Sequence, residues 1–305
     1  MKSHPHYENP RIKKQGNGNA SNGDVKLSLT KTIWFITMCI IAIIGGAMTL
    51  SLETVLLFIT FTGFTLCFGH SLGMHRYLIH QSFQCSKWLG YFLVHLGVIT
   101  GLGGPFSMIK THDMRDWSQR QHHCHDYFGH RQPFFTDGYW QLLCDIHLKK
   151  PPQIIIEENY KNDPVLGFME RYWMWQQLPW ALILFALGGI AWVIWGICAR
   201  VAISITGHWL IGYFAHNQGG RSWHINGAFV QGYNVPFAAL ITMGESWHNN
   251  HHAFPGSAKL GLEKGQLDPG WWILMLMQKA GWVWDIKLPE HLGPRQELTA
   301  ISSEA

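Results

Sequence analysis

Charge is what this sequence has least of. Only 14% of its 305 residues are Asp, Glu, Lys or Arg, against about 25% in an ordinary soluble domain. Its six cysteines are scattered with no CxxC pair, which leaves no disulfide framework, zinc ribbon or iron–sulfur spacing. There is no Gly-rich dinucleotide fingerprint and no fused His-Pro-Gly-Gly haem segment, so electrons for any redox chemistry must come from a separate partner. The net charge of +4 is too mild to argue for nucleic acid. Repeats and low-complexity arrays are also missing. What is present is apolar: 47% hydrophobic residues, with 16 Trp and 17 Phe. That excludes a disordered or collagen-like chain. Histidine is the surplus, with 19 residues against 19 Asp and Glu together.

The mean hydropathy of +0.00 averages very different segments. Residues 1–30 are polar and rich in Gly, Asn and Lys, lack the apolar core of a signal peptide, and read as a poorly ordered cytoplasmic tail. Thr32–Leu50 carries no charge, and after Ser51-Leu52-Glu53 a second apolar stretch runs from Thr54 to about Met74. A bilayer core of about 30 Å needs about 20 apolar residues per helix, so these form a spanning hairpin. A second hairpin is expected over roughly Leu178–Ile197 and Val201–His216, turning at Arg200. Trp88–Ile109 and Ala228–Met243 are interrupted by Gly, Pro and polar residues and are not counted as spans. Gly270–Lys279 reads as a short interfacial helix. Lys and Arg flank the spans so that both termini and the central segment face the cytoplasm. The expectation is an all-α integral membrane protein of four transmembrane helices, in two hairpins, under a cytosolic helical cap. Its boundaries are a tail at 1–30, a membrane domain at 31–290 and a C-terminal tail at 291–305.

The histidines gather at the edges of these segments. Span two ends in an HxxxxH pair, His75 and His80. In an α-helix, positions i and i+5 lie about 140° apart, so both rings reach one site only beside the helix end or where the helix distorts. Late in the chain stands His248-Asn-Asn-His251-His252. There i and i+3 share a helix face while the adjacent ring points sideways, so the three serve neighbouring metal positions. Neutral imidazole suits Fe, Zn and Cu. Lone histidines such as His95, His147, His224 and His291 read as surface or hydrogen-bonded residues. His70 reads as packing or as support behind a ligand, and His208, deeper in its span, as either a functional group or one satisfied by a hydrogen bond to a neighbouring helix. Asn249 and Asn250 read as supporting donors or caps.

Together these motifs resemble the membrane fatty acyl desaturases over most of the chain. His75-Arg76…His80 is similar to that family's first histidine box, and Glu245-Ser-Trp-His248-Asn-Asn-His251-His252-Ala-Phe-Pro255 to its third. Asp268-Pro-Gly-Trp271-Trp-Ile and Gly281-Trp-Val-Trp-Asp285-Ile-Lys287 resemble its C-terminal signature, and His216 matches a histidine before the third box. Two positions depart from the pattern. Gly212 stands where the family has Asn. The second box, expected as HxxHH, falls on His112-Asp-Met-Arg115-Asp116, where Asp116 offers a carboxylate and Arg115, cationic and without an acceptor, cannot ligate. A competing register is Gln119-Arg-Gln-His122-His123, with His125 and His130 nearby.

The resemblance implies a di-iron centre held by His75, His80, His112, Asp116, His216, His248, His251 and His252, with no catalytic residues beyond these ligands. It implies an O2-dependent oxidoreductase of lipid metabolism that introduces a double bond into an acyl chain carried on CoA, a carrier protein or a phospholipid. Electrons would come from a ferredoxin or cytochrome b5-like donor. The rivals are a lipid hydroxylase of the same histidine-box superfamily, a non-catalytic membrane metal-binding protein with a degenerate site, and a bis-histidine haem carrier.

Overall fold

The computed structural model describes residues 9–13 and 18–301. Among the described residues, three helices are long and apolar enough to cross a membrane: Leu29–Met48, Leu52–Ile79 and Met174–Asn217. The first, α1, exposes Ile33, Ile40, Ile43 and Met48, a surface that is costly in water and suited to lipid. Ser51 ends the connection by capping the next helix: its hydroxyl accepts from Thr54 N at 3.2 Å, while Thr54 Oγ1 accepts from Ser51 N at 3.0 Å. That reciprocal cap starts α2, Leu52–Phe64, which continues without a break as a π-helix over Thr65–Ile79. The 28 residues from Leu52 to Ile79 reach about 40 Å at 1.5 Å each, roughly 10 Å more than a bilayer core. The excess carries His75.

Met174–Asn217 is not one straight rod. Gly188 (φ −147, ψ 17) and Gly189 (φ 65, ψ −159) leave the helical region. A Cβ on Gly196 would stand 2.6 Å from Leu184 Cδ1, whereas twelve residues of unbroken helix span about 18 Å. The chain therefore folds back at the glycine pair, inside what is nominally α9, Gln177–Val193. This corrects the expected turn at Arg200, which opens α10, Arg200–Asn217, directly after a π turn at Ile194–Ala199. The charge is no helix breaker because its guanidinium is satisfied: it donates to Ile99 O at 2.5 Å, Gln177 Oε1 at 2.7 Å and Gly196 O at 2.7 Å. Trp192 Nε1 donates to Glu53 Oε1 and Trp195 Nε1 to Thr49 Oγ1. Both hairpin turns thus lie at the same end of the bundle, and the histidine boxes at the other.

α3, Lys87–Val98, has 12 residues and is too short to span. It lies close against the π segment because Gly69 faces the backbone of Leu96 and Gly97, and Gly73 faces Leu93. Glycine at both crossings lets the two backbones approach. Positive φ at Gly101 and Gly103 turns the chain into α4, Pro105–Gln119, with Pro at a first-turn position that needs no N–H. Glu170, on α8 (Pro164–Arg171), accepts from Phe106 N at 2.8 Å and Ser107 N at 3.1 Å. Helices α5 (Asp126–Gly129), α6 (Phe134–Leu143) and α7 (Glu158–Lys161) are short pieces between α4 and α8. α11, His248–Ala253, carries the third box, and α12 spans Pro269–Lys279. Met74, Leu78, Val94, Val98, Ile109 and Met169 form the core that joins the π segment, α3, α4 and α8.

The ends are more ordered than a polar tail suggests. Asn19–Leu27 forms β1, antiparallel to β3 at Cys144–Lys150 with Val25 opposite Ile146. Two further ribbons pair β2 (Gln84–Cys85) with β5 (Val283–Trp284), and β4 (Trp223–Ile225) with β6 (Leu298–Ala300). The strand within the expected N-terminal tail, and the one within the expected C-terminal tail, each take a partner distant in sequence. Within those tails, residues 1–8, 14–17 and 302–305 lie outside the described residues.

Candidate metal centre

The first box is brought together by its helix type. In the π segment His80 N donates to His75 O at 3.0 Å, an i+5 to i bond, so residues five apart stack on one face. The Nε2 atoms of His75 and His80 lie 3.2 Å apart, and His80 Nε2 is 3.2 Å from His112 Nε2 on α4. His251 completes the group, its ring centroid 4.5 Å from that of His75 and 4.7 Å from that of His80. The four ligand atoms all fall within 4.8 Å of one another.

A second group consists of His216, His248 and His252. His248 Nε2 is 3.1 Å from His216 Nε2 and 2.9 Å from His252 Nε2. The six-residue α11 therefore straddles both groups. His248 and His252, four apart, share one face, and His251 turns to the other cluster. This differs from the expected sharing of i and i+3. The clusters are neighbours, with His251 centroids 5.9 Å from both His248 and His252.

Carboxylates and carbonyls stand behind several rings. His75 Nδ1 lies 2.6 Å from Glu245 Oε2, and His112 Nδ1 lies 3.2 Å from Asp113 Oδ1. His216 Nδ1 is 2.7 Å from Gly212 O, so that nitrogen donates and Nε2 keeps its lone pair. Such partners fix the tautomer and turn the free nitrogen inward. Imidazole nitrogens about 3 Å apart must either share a proton or, with both lone pairs turned inward, have a cation between them. An ion about 2.1 Å from each of four tetrahedral nitrogens separates them by about 3.4 Å, close to the spacing of the four-histidine group. That group fits a metal. Burial, then the charges of neighbouring imidazoles, push the proton affinities of His248, His251 and His252 well below the ordinary range, and ligation needs the neutral ring.

Seven of the eight expected ligands fall in these clusters, and Asp116 does not. Its carboxylate accepts from Arg120 Nε at 3.0 Å, on the side of α4 that the salt bridge occupies. The competing second-box register also misses both groups: His122 and His123 are exposed, His123 lies edge-on to Phe229, and His125 Nδ1 accepts from Tyr127 N. His70 and His208 pair edge to face at 5.2 Å. Asn249 and Asn250 turn to the surrounding backbone, Asn249 holding Trp223 and Gly232 and Asn250 holding Leu260.

Sequence patterns do not assign roles to the side chains around the clusters, although Gln119 and His130 stand in or beside the competing second-box register. Asp113, Glu245, Gln119 and His130 each touch a cluster ring or its neighbour. Glu245 was visible as part of the third-box flank. Asp113 had only its adjacency to His112. Arg11 donates to Glu157 and to the Ile79 carbonyl, and pairs with Asp113 at 3.4 Å, a link no local pattern announces.

No family model matches the chain. Individual proteins do. An acyl-CoA C20 Δ5-desaturase of Anemone leveillei is 32% identical over 250 residues, covering 78% of this chain and 76% of its own length. The sn-1 stearoyl-lipid 9-desaturase of Anabaena variabilis is 33% identical, over 73% of this chain and 79% of its own. Delta-9 acyl-lipid desaturase 1 of Arabidopsis thaliana is 31% identical, over 73% and 72%.

Proposed function

The chain belongs to the membrane fatty acyl desaturases, and we propose from its two imidazole clusters that it works through iron on an acyl chain at the cytoplasmic face of a membrane. It is an oxidoreductase and an integral membrane protein. The observation that carries the site is the convergence of seven histidines from four separate segments, with inward nitrogens about 3 Å apart. Each hairpin supplies two spans, four in all. The two turns share one side, and the clusters, together with Arg11, Lys13, Lys26 and Lys31, lie toward the other, which the positive-inside rule makes cytoplasmic.

The hydrogens of an unactivated methylene are not acidic, so no side-chain base removes them. Iron, with O2 and electrons from an external ferredoxin or cytochrome b5-like donor, would supply the oxidising power for removing two of them. The protein's own part is orientation and exclusion. His75, His80, His112 and His251 would hold one ion, and His216, His248 and His252 contribute to a second. Glu245 keeps the His75 ring turned inward, as Asp113 does for His112. The buried His216, His251 and His252 exclude bulk water from their side of the site. His70 and His208 lie farther down the two long helices and contact each other edge to face.

The test is lipid profiling of a host lacking its own desaturase, expressing this chain together with either donor, beside His251→Ala. A new unsaturated acyl species that disappears in the variant is expected. New hydroxylated lipid in its place would move the reading to hydroxylation. An unchanged profile with both donors would refute it.

A further inference from the structure

The two clusters differ in what faces them. α4 runs past both, presenting His112 to the four-histidine group and Gln119, seven residues on, to His216. Gln119 is fully buried, and its amide nitrogen donates to Phe128 O at 2.7 Å while lying 2.9 Å from His216 Nε2. Because His216 Nδ1 already donates to Gly212 O, its Nε2 must accept from Gln119. The lone pair that a metal needs is thereby engaged. Flipping the amide would set its oxygen against the Phe128 carbonyl, so the donor is locked in place.

Arg115 lies one turn before Gln119 on the same helix. Its Nη1 is 2.6 Å from His130 Nε2 and its Nη2 donates to Gln141 Oε1 at 2.7 Å. His130 Nδ1 is 2.9 Å from Asp137 Oδ2, so the ring donates to the carboxylate and accepts from the guanidinium. His130 has a left-handed backbone, φ 50, and stacks on His216 with centroids 5.3 Å apart and planes at 15°. Gly212 makes room for it: a Cβ there would stand 3.1 Å from His130 Nε2. The cation is thus clamped behind the three-histidine group by a buried, hydrogen-bonded unit. His130 has both nitrogens engaged and is no substitute ligand.

We propose that the two clusters hold metal unequally: the four-imidazole cluster retains its ion against a chelator that strips the three-imidazole cluster, because Gln119 and the clamped Arg115 occupy the approach of a fourth ligand. This rests on the iron reading above. The difference in affinity is at least about tenfold, the lower end of what outer partners alone contribute to a metal site.

The experiment uses the full chain in lipid nanodiscs, loaded with excess Co2+, dialysed against graded nitrilotriacetate and counted for metal per chain by plasma mass spectrometry. Wild type releases cobalt in two steps separated by at least about tenfold in chelator. His216→Ala removes the early step and leaves the late one, which also certifies the fold. His80→Ala removes the late step. Gln119→Leu and Arg115→His each move the early step toward the late one. A single retained ion, lost in His80→Ala and kept in His216→Ala, is the same result at its limit. Simultaneous release of two ions, an early step that belongs to His80, or an early step unmoved in both Gln119→Leu and Arg115→His overturns the proposal. Wild type that retains no cobalt at any chelator level overturns it as well, and with it the metal reading itself.

Discussion

Gly73→Ala tests whether the close crossing of α3 and the π segment sets the geometry of the site. A Cβ at Gly73 would stand 2.5 Å from Leu93 C and 3.1 Å from Leu93 Cβ, and would overlap the Leu93 carbonyl oxygen. Carbon atoms attract at about 3.5–4.0 Å, so α3 must retreat by about 1 Å. The obstacle is backbone and cannot rotate away, and Leu93 is itself locked among Leu72, Phe83 and Leu274. Overpacking of this kind costs about 1–3 kcal/mol, and the rigid obstacle argues for the upper half of that range. About 2–3 kcal/mol corresponds to a fall of about 4–12 °C in melting midpoint for a chain of this size. His75 lies two residues on, and metal sites tolerate about 0.2 Å in ligand distance, so metal content should fall by at least about half. The assay is thermal unfolding of the detergent-solubilised protein followed by size-exclusion fluorescence, with metal counted on the same samples. Gly207→Ala is the control. It is also helical, but its Cβ meets nothing within 4 Å, so it should stabilise by up to about 1 kcal/mol. A Gly73→Ala protein with wild-type midpoint and metal would refute the reasoning.

Asp268→Ala removes the carboxylate to which the buried Arg76 donates at 2.7 Å and leaves it Glu245 at 3.6 Å, so it should cost about 3 kcal/mol, the lower end for breaking a buried pair; a melting midpoint within a few degrees of wild type counts against it. Glu245→Gln keeps the Ser71 contact but removes the carboxylate behind His75, and should weaken metal retention by about 10–100-fold, read by chelator titration. Asp116→Asn should leave metal content unchanged, since the carboxylate serves Arg120; lost metal would return it to the ligand set. The Cys124 thiol is pushed up to about 11 by burial, with Arg131 opposing less strongly, so at pH 8 roughly one part in a thousand is thiolate. Iodoacetamide should therefore leave Cys124 unlabelled in the folded protein, and mass spectrometry showing rapid labelling would contradict that.

What the sequence makes legible is whatever leaves a local period or a dense cluster. The uncharged run before Leu50 and the three histidines from His248 to His252 both do. Arg200 misleads because a lone charge in an apolar run looks like a turn, and only the tertiary acceptors Ile99 O and Gln177 Oε1 show that it can stay helical. The glycine pair that actually reverses the chain is one of several in the sequence. β1 is invisible for the same reason, since its polar residues become a strand only against Cys144–Lys150. Arg115 and Asp116 are readable as missing imidazoles. Their partners His130 and Arg120 are decided by which way the helix face turns.

The π turn has a consequence for register. In α geometry, four residues would bring two rings onto one face, so the HxxxxH spacing contains one residue more than the pairing needs. That surplus residue works as a shim. It lets His75 and His80 meet while the glycines at 69 and 73 stay level with Leu96 and Leu93. Deleting one residue between the two histidines would still leave them facing each other in an α-helix. It would also turn everything on one side of the deletion by about 100° and draw it in by about 1.5 Å. Either the glycines would lose their partners or His80 would lose His112. The length of this segment is therefore set jointly by the packing below it and the metal centre above it, and neither one can be shortened alone.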